Sequence, residues 1–482
     1  MKRLFCIAAI FGIFGGRGLA ADPAKPNLLI LVADDLGYAD VGFTGGKVIP
    51  TPHLDRLAAT GVTLTDFRSC PMCSPTRAGL MTGRWPLRFG MMRAVVPPWS
   101  RYGIPADENT LPELLAAAGY AQRGMVGKWH LGHARREFLP LANGFTHFYG
   151  HYNGAIDYFT HERDGETDWH RNDQTVKEPG YSTDLIAAEA VRFVREAAAG
   201  QPWLLYVPFN APHGPFEAKE EDLKKYPQLT GDRRAYAAMV DSMDQAIGRI
   251  LAAVDARPDA SDTLVLFFSD NGGIPAVGSS NAPYRGAKLT VYEGGTRVCA
   301  AIRWPAGGLS GGKQFNGRVG YIDVLPTMLA AAGAAGPPNI DGMNFLPAVR
   351  GAAALPERPW FSYLHQNEDA HASVHLGKWK LVAHGDFFAE QPATKPALEL
   401  YDLDADPGEK IDLAASQPER VAQLHRRLRE FGTWQMPGVG PYTEGRDGFV
   451  APRDWVVGAA PAALDTSAAP KAAKKKKKKS EN

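Results

Sequence analysis

The chain has 482 residues, of which 45% are apolar and 22% charged, with a formal net charge of +1 at pH 7. That length supports a large core and more than one domain, and the near-neutral charge supplies no basic field, so no nucleic-acid partner is expected. Beyond the N-terminal leader no stretch is apolar enough to cross a membrane, and the cysteines left there, Cys70, Cys73 and Cys299, are too few for a disulfide framework.

The leader itself reads MKRLFCIAAIFGIFGGRGLAAD. A basic start, a short apolar stretch from Leu4 to Phe14 and small residues at Ala20 and Ala21 make residues 1–21 a secretory signal peptide, with an exported product, periplasmic or secreted. At the other end, residues 459–482 are rich in Ala, Pro and Lys and carry no apolar period, so a disordered tail is expected. Leader and tail hold much of the positive charge. The remainder is acidic, and an anionic ligand must be met there by a local cluster.

In chain order, Asn27 to Ala33 (NLLILVA) is a continuous apolar run, the pattern of a buried parallel strand. It ends in Asp34-Asp35, two acids that are costly to bury unless a cation sits between them. Thr51-Pro52 starts a helix with Leu54, Leu57 and Ala58 on one face and Gly61 at its end. Cys73 to Arg84 follows as CSPTRAGLMTGR. Pro75 suits a first helical turn, Thr76 to Thr82 continues it and Gly83 ends it. Cys73 then lies at a helix N-terminus with Arg77 one turn on, a place suited to an anion beside a nucleophile.

Leu111 to Ala118 reads as a short helix. Ala121 to Val126 reads as a strand leading into Gly127-Lys128-Trp129-His130, where Lys128 and His130 point the same way. Residues 134–180 show no clean period and are expected to form a long loop region at the site mouth. Thr183 is placed as the cap of a helix carrying Ile186, Ala190, Phe193 and Val194. Trp203 to Phe209 is another buried strand, followed by Ala211-Pro212-His213-Gly214-Pro215. A long amphipathic helix spans Tyr236 to Val254, and the strand Leu264 to Ser269 ends in Asp270-Asn271-Gly272-Gly273.

Four strands thus finish in polar groups: Asp34/Asp35, Lys128/His130, His213 and Asp270/Asn271. Strands alternating with helices imply a mostly parallel sheet sandwiched by helices, an α/β fold with all four ends on one edge. Tyr284 to Arg297 adds Lys288, and Asp323 to Ala332 is a helix packing back on the sheet. After residue 351 the pattern alternates, in Val374–Val382 and Leu398–Leu403, before a helix from Gln417 to Phe431. The expected organisation is a catalytic domain over 22–351 and a smaller C-terminal antiparallel sheet plus helix over 352–458.

The segments LVADDLG, CSPTRAGLMTGR, GKWHLG, APHGP, FFSDNGG and RGAKLTVYEGGTRV resemble the type I, formylglycine-dependent sulfatases over nearly all of residues 27–430. The resemblance implies a fold like alkaline phosphatase. It also implies oxidation of Cys73 to Cα-formylglycine by a formylglycine-generating or anaerobic sulfatase-maturating enzyme that reads Pro75 and Arg77. One Ca²⁺ would be held by Asp34, Asp35, Asp270, Asn271 and the modified Cys73. Arg77, Lys128, His130, His213 and Lys288 would surround the sulfate, with Asp270 and His130 as proton acceptors and His213, or alternatively Lys288, as the acid.

Within the family the likeness runs to the N-acetylgalactosamine-4-sulfatase (arylsulfatase B) type, in CSPTRAGLMTGRWPLRFG, DENTLPELLAAAGY and GKWHLGHARREFLPLANGFTHFYG. This implies a sulfated glycan or oligosaccharide substrate, galacto-configured, with 4-sulfate preferred over 6-sulfate or N-sulfate. His151, Tyr158, His161 and Arg163 are candidates to meet a sugar from exposed loops. Two other readings stay open: a phosphonate or phosphodiester hydrolase of the same superfamily, and a glycan-binding relic without turnover. Whether Cys70 and Cys299 pair also stays open.

Overall fold

Apolar runs of five to seven residues form the middle of a ten-stranded sheet in the computed structural model, which describes residues 25–366 and 369–458. The expected signal peptide and the Lys-rich tail lie outside the described residues. The strands are β1 (Asn27–Ala33), β2 (Val62–Leu64), β3 (Gln122–Lys128), β4 (His147–His151), β5 (His170–Arg171), β6 (Gln174–Thr175), β7 (Trp203–Pro208), β8 (Thr263–Ser269), β9 (Ala300–Arg303) and β10 (Lys313–Phe315). Their spatial order is β10-β2-β9-β8-β1-β7-β3-β4-β5-β6. The central strands β8, β1, β7, β3 and β4 are parallel. Their polar ends therefore share one edge of the sheet, the edge at which α/β folds bind ligands.

Both faces of this centre are covered. Leu28, Ile30 and Val32 of β1 enter one apolar cluster and Leu29, Leu31 and Ala33 the other, as strict strand alternation requires. Helices α1 (Pro52–Thr60), α2 (Cys73–Thr82), α3 (Leu111–Ala117), α4 (Ser182–Glu196), α5 (Gly231–Asp255) and α6 (Val324–Ala331) flank the sheet. Leu54, Leu57 and Ala58 are the buried face of α1, as the sequence spacing predicts.

Three local expectations are corrected. Residues 134–180 are not only loop: β4, β5 and β6 extend the sheet. The strand β4 escapes an apolar-run search because its sequence, HFYGH, is polar and aromatic. Its approach to β3 relies on Gly150, where an added Cβ would lie 2.1 Å from the Gly127 carbonyl oxygen. The N-cap of α4 is Tyr181, and Thr183 sits inside the first turn. Finally, β3 runs to Lys128 itself.

The C-terminal part is an antiparallel sheet of β11 (Trp360–Leu364), β12 (His371–Leu376), β13 (Trp379–His384) and β14 (Ala397–Asp402), with helix α7 (Pro418–Gly432). Trp85, just beyond α2, is an aromatic hub. Tyr321, Trp360, Phe361 and Phe431 pack edge-on around it, with ring centres 5.2 to 6.0 Å away. This joins the C-terminal sheet to the helix that carries Cys73.

A second, ionic joint lies between the same parts. Glu293 accepts from Arg68 at 2.6 Å and from Lys380 of β13 at 2.9 Å. Lys380 also pairs with Glu409 at 2.9 Å, and Glu409 accepts the Glu293 backbone N–H. Cys70 and Cys299 are buried and free. The Cys70 thiol donates to the Tyr321 hydroxyl at 3.1 Å.

Candidate active site

Helix α2 begins at Cys73 after the extended residue Met72 and ends at Gly83, whose φ of 67° is the left-handed conformation glycine tolerates. Every residue of α2 is buried, so Cys73 is held on a rigid element at the helix N-terminus. Its thiol donates to Asp34 at 3.3 Å. Burial and the Asp34 carboxylate push that thiol up, against the pull of Lys128 and Lys288. It is therefore protonated at neutral pH, and a protonated thiol is a poor nucleophile.

The predicted site residues fall into two layers. Cys73, His130, His213 and Lys288 line a cavity of 300 Å³. Asp34, Asp35, Asp270, Asn271, Arg77 and Lys128 are buried beneath them, each no more than 1% exposed. Arg77 is thus not at the cavity wall. Its Nε and one terminal nitrogen donate to Asp270 at 3.0 and 2.8 Å, and the other terminal nitrogen donates to the Lys128 carbonyl at 2.9 Å. Lys128 is paired with Asp34, and Lys288 donates to Asp35 at 2.8 Å.

Local backbone makes this possible. At Gly127 (φ 129°) a Cβ would lie 2.0 Å from the Pro208 carbonyl oxygen, so only glycine lets β3 run against β7 and deliver Lys128. Asp35 and His130 adopt positive φ of 64° and 58°, a conformation uncommon outside glycine. Gly154 leaves room for the His130 ring, since a Cβ there would lie 2.5 Å from it.

The electrostatics follow from burial and neighbours. Burial opposes ionisation of Asp35, yet Lys288 and His213 hold it well below the usual carboxylate range. Asp270 moves the other way: burial and the neighbouring Asp34 carboxylate push it up to about 6, against Arg77. Burial and Lys288 push the His213 imidazole down to about 3. Burial, Lys128 and Arg77 push His130 well down. His130 Nε2 lies 3.0 Å from the Val96 carbonyl, which assigns that nitrogen as the donor, and its buried Nδ1 has no partner.

Three of the expected ligands, Asp34, Asp35 and Cys73, converge with His213 into a group that can hold a metal ion, while Asp270 is not one of that group and is held by Arg77. Ligand atoms of Asp34, Asp35, Cys73 and His213 all lie within 4.8 Å of one another. The buried side-chain oxygen of Asn271 has no hydrogen-bond partner, while its nitrogen donates to Asp35 at 2.7 Å. A buried amide oxygen left unmatched beside converging carboxylates suits an oxygen-liganded ion.

The other sugar candidates divide. His151, Tyr158 and His161 are 0%, 1% and 2% exposed, and so belong to the core. Tyr158 donates to the Asn210 carbonyl at 2.7 Å, and His161 stacks on Trp169 at 4.7 Å. Only Arg163 of the four lines the cavity. Sequence reasoning missed Gln366 and Tyr442, which reach the cavity from the C-terminal part. No local signal marks them, because only tertiary packing brings them there.

Comparison with known proteins agrees with this geometry. A family profile described as "Sulfatase" matches residues 26–334, and one described as "N-sulphoglucosamine sulphohydrolase, C-terminal" matches residues 287–433. The chain is similar to the N-acetylgalactosamine-6-sulfatase of Homo sapiens, 34% identical over 85% of this chain and 86% of the relative. It is similar to the arylsulfatase A of Bos taurus, 33% identical over 89% of this chain and 92% of the relative. Among solved structures it is similar to Ps i-CgsB in complex with k-i-k-neocarrahexaose, at 32% identity and a TM-score of 0.80, covering 88% of this chain and 96% of that one. The fold is that of the alkaline-phosphatase-like sulfatases, and the chain belongs to the sulfatase family and is a sulfuric ester hydrolase.

Proposed function

We propose that the protein hydrolyses sulfate esters on galacto-configured sugars of a sulfated polysaccharide, with residue 73 as the nucleophile after oxidation to formylglycine. The observation that carries this reading is Cys73 itself. It opens a rigid helix, faces a cavity lined by His130, His213 and Lys288, and has a thiol held in its unreactive protonated form.

The aldehyde, when formed, hydrates to a geminal diol, so that one hydroxyl attacks sulfur and the other later releases the sulfate. Asp34, Asp35, Asp270 and Asn271, with residue 73, would hold one Ca²⁺, which supplies Lewis-acid polarisation of the sulfate and lowers the pKa of the attacking hydroxyl. The chain's own groups do the rest. Asp270 accepts the proton of the attacking hydroxyl. Lys288 at the cavity wall meets the sulfate oxygens. Lys128 and Arg77 act from the floor, where they pair with Asp34 and Asp270 and offset the growing negative charge; such preorganised charge is often worth ~3 kcal/mol.

His213 transfers a proton to the departing sugar oxygen. Its imidazole is neutral in the resting cavity, and the anionic ester entering beside it favours the imidazolium it needs. His130, with its unpartnered Nδ1, takes the proton of the second hydroxyl.

Among the described residues no helix is long and apolar enough to cross a membrane. Residues 1–21 are proposed to direct export, and a maturating enzyme is proposed to read Cys73, Pro75 and Arg77 in the unfolded chain. The galacto configuration is supported by the human relative named for N-acetylgalactosamine and by the neocarrahexaose complex. The 4-position is proposed from the stretches around the site quoted above, and the 6-position in that relative's name is the competing choice. Desulfation of defined galactan and chondroitin oligosaccharides, followed by NMR, decides. Loss of the 4-sulfate signal is expected; release only from the 6-position, or only from glucosamine N-sulfate, overturns the substrate assignment.

A further inference from the structure

One wall of the Cys73 cavity is built by a segment that neither family profile reaches, since the second ends at residue 433. Residues 436–455 cross back over the large domain as a strap. The Met436 N–H donates to the Leu87 carbonyl at 3.1 Å, the Val439 N–H to Gly90 at 2.9 Å and the Tyr442 N–H to Gln366 at 3.0 Å. The Trp99 indole donates to the Tyr442 carbonyl at 2.9 Å. At the far end the Asp454 N–H donates to Glu166 at 2.8 Å, and the Trp455 indole donates to the Arg163 carbonyl at 2.9 Å. The strap thus fixes the short hairpin in which Glu162–Arg163 pairs antiparallel with Glu166–Thr167.

The Cys73 cavity does not end at that wall. Across Arg163 and Tyr442 it abuts a second cavity of 440 Å³. Across Trp99, Phe449 and Val450 the second abuts a third of 770 Å³. The middle cavity carries Arg163 and Arg446 against one acid, Asp164. Arg446 lies over the Trp99 ring at 5.6 Å. The outer cavity carries Arg101 against Glu444 and Asp447, so the positive excess runs from the Cys73 cavity, with Lys288 and Arg163, into the middle one and stops there. Aromatic faces beside guanidinium groups suit a sugar ring bearing an anion, which stacks on one and pairs with the other.

We propose that these cavities form one oligosaccharide cleft, in which the sugar next to the one losing sulfate rests against Tyr442 and Trp99 and presents an anionic group to Arg163 and Arg446. The substrate is then a multiply anionic galactan fragment of several units, not a monosaccharide. The proposal deepens the sulfatase reading, and rests on it for which sugar lies over Cys73.

Calorimetry separates the two. The full chain carrying Cys73→Ala, which removes turnover, is titrated with a sulfated carrageenan hexasaccharide, its desulfated counterpart and a monosulfated galactose. The hexasaccharide is expected to bind at least about tenfold more tightly than the monosaccharide, and Arg446→Gln is expected to weaken it about tenfold while Arg446→Lys restores part of the loss. Arg446 is exposed, so its replacement strips no core. Trp99→Leu provides a second variant with the same expected direction. Equal affinity for hexasaccharide and monosaccharide, or an Arg446→Gln variant that binds the hexasaccharide unchanged, overturns the cleft. Failure of the sulfatase reading shows separately, as a wild-type protein that binds the hexasaccharide and releases no sulfate.

Discussion

Two buried ionic clusters in this molecule each set three acids against basic side chains, and they differ in what they face. At the sheet edge Asp34, Asp35 and Asp270 face Arg77, Lys128 and Lys288. At the joint with the C-terminal sheet Asp66, Glu293 and Glu409 face Arg68, Arg297, Arg318 and Lys380. The joint is closed in that none of these side chains lines the Cys73 cavity, although an Arg68 nitrogen and a Glu293 oxygen there lack hydrogen-bond partners. Arg68 and Lys380 converge on Glu293, and Glu409 is tied to Lys380 and to the Glu293 backbone. The site is left open: Cys73, His213 and Lys288 reach a cavity. Buried charge alone therefore does not mark function. What marks it is buried charge that reaches a cavity.

The largest effect expected is at the open cluster. Cys73→Ala should lower turnover of an aryl sulfate by roughly 10³-fold or more, with circular dichroism and melting temperature unchanged. Asp34→Ala should remove both bound metal and activity, read by elemental analysis and assay. It should also cost about 3–5 kcal/mol in denaturant unfolding, because Lys128 is left buried and unpaired. Metal at full occupancy in that variant would count against the ligand set.

The closed cluster should respond in stability alone. Glu293→Gln strands Arg68 and Lys380 and should also cost about 3–5 kcal/mol, with kcat of the folded fraction retained. Its pH dependence has a definite sign. Burial alone would raise the Glu293 carboxyl, but Arg68 and Lys380 outweigh it and hold it well below the usual range. The contribution is therefore complete above the ordinary glutamate pKa and is lost as pH falls through the depressed folded value. The stability gap between wild type and Glu293→Gln should narrow in acid; a gap that widens there would contradict the pairing. The smallest effect is at Gly154→Ala, whose Cβ meets the His130 ring. A loss of kcat of about tenfold is expected, with metal content unchanged.

Much of the open cluster was legible in the sequence, for a physical reason. A buried parallel strand reads as an apolar run, and the residues just past its end stand at the binding edge whatever else the chain does. Asp34, Asp35, His213, Asp270 and Asn271 were found in that way. The division into floor and wall was not legible, because Arg77 and Lys128 differ from Lys288 only in what packs over them. His151, Tyr158 and His161 misled for the same reason: their polar, aromatic stretch reads as loop, whereas the pairing of β4 between β3 and β5 and stacking on Trp169 bury it. The closed cluster left no trace at all, since its members are scattered from Asp66 to Glu409 and meet only in the fold.

The central claim is tested most directly by mass spectrometry of the tryptic peptide Ser69–Arg77, in which Cys70 serves as an internal thiol control. In active protein, residue 73 is predicted to carry an aldehyde that a hydrazide reagent captures, while Cys70 remains a thiol. A fully active preparation in which Cys73 is quantitatively a thiol would contradict the account.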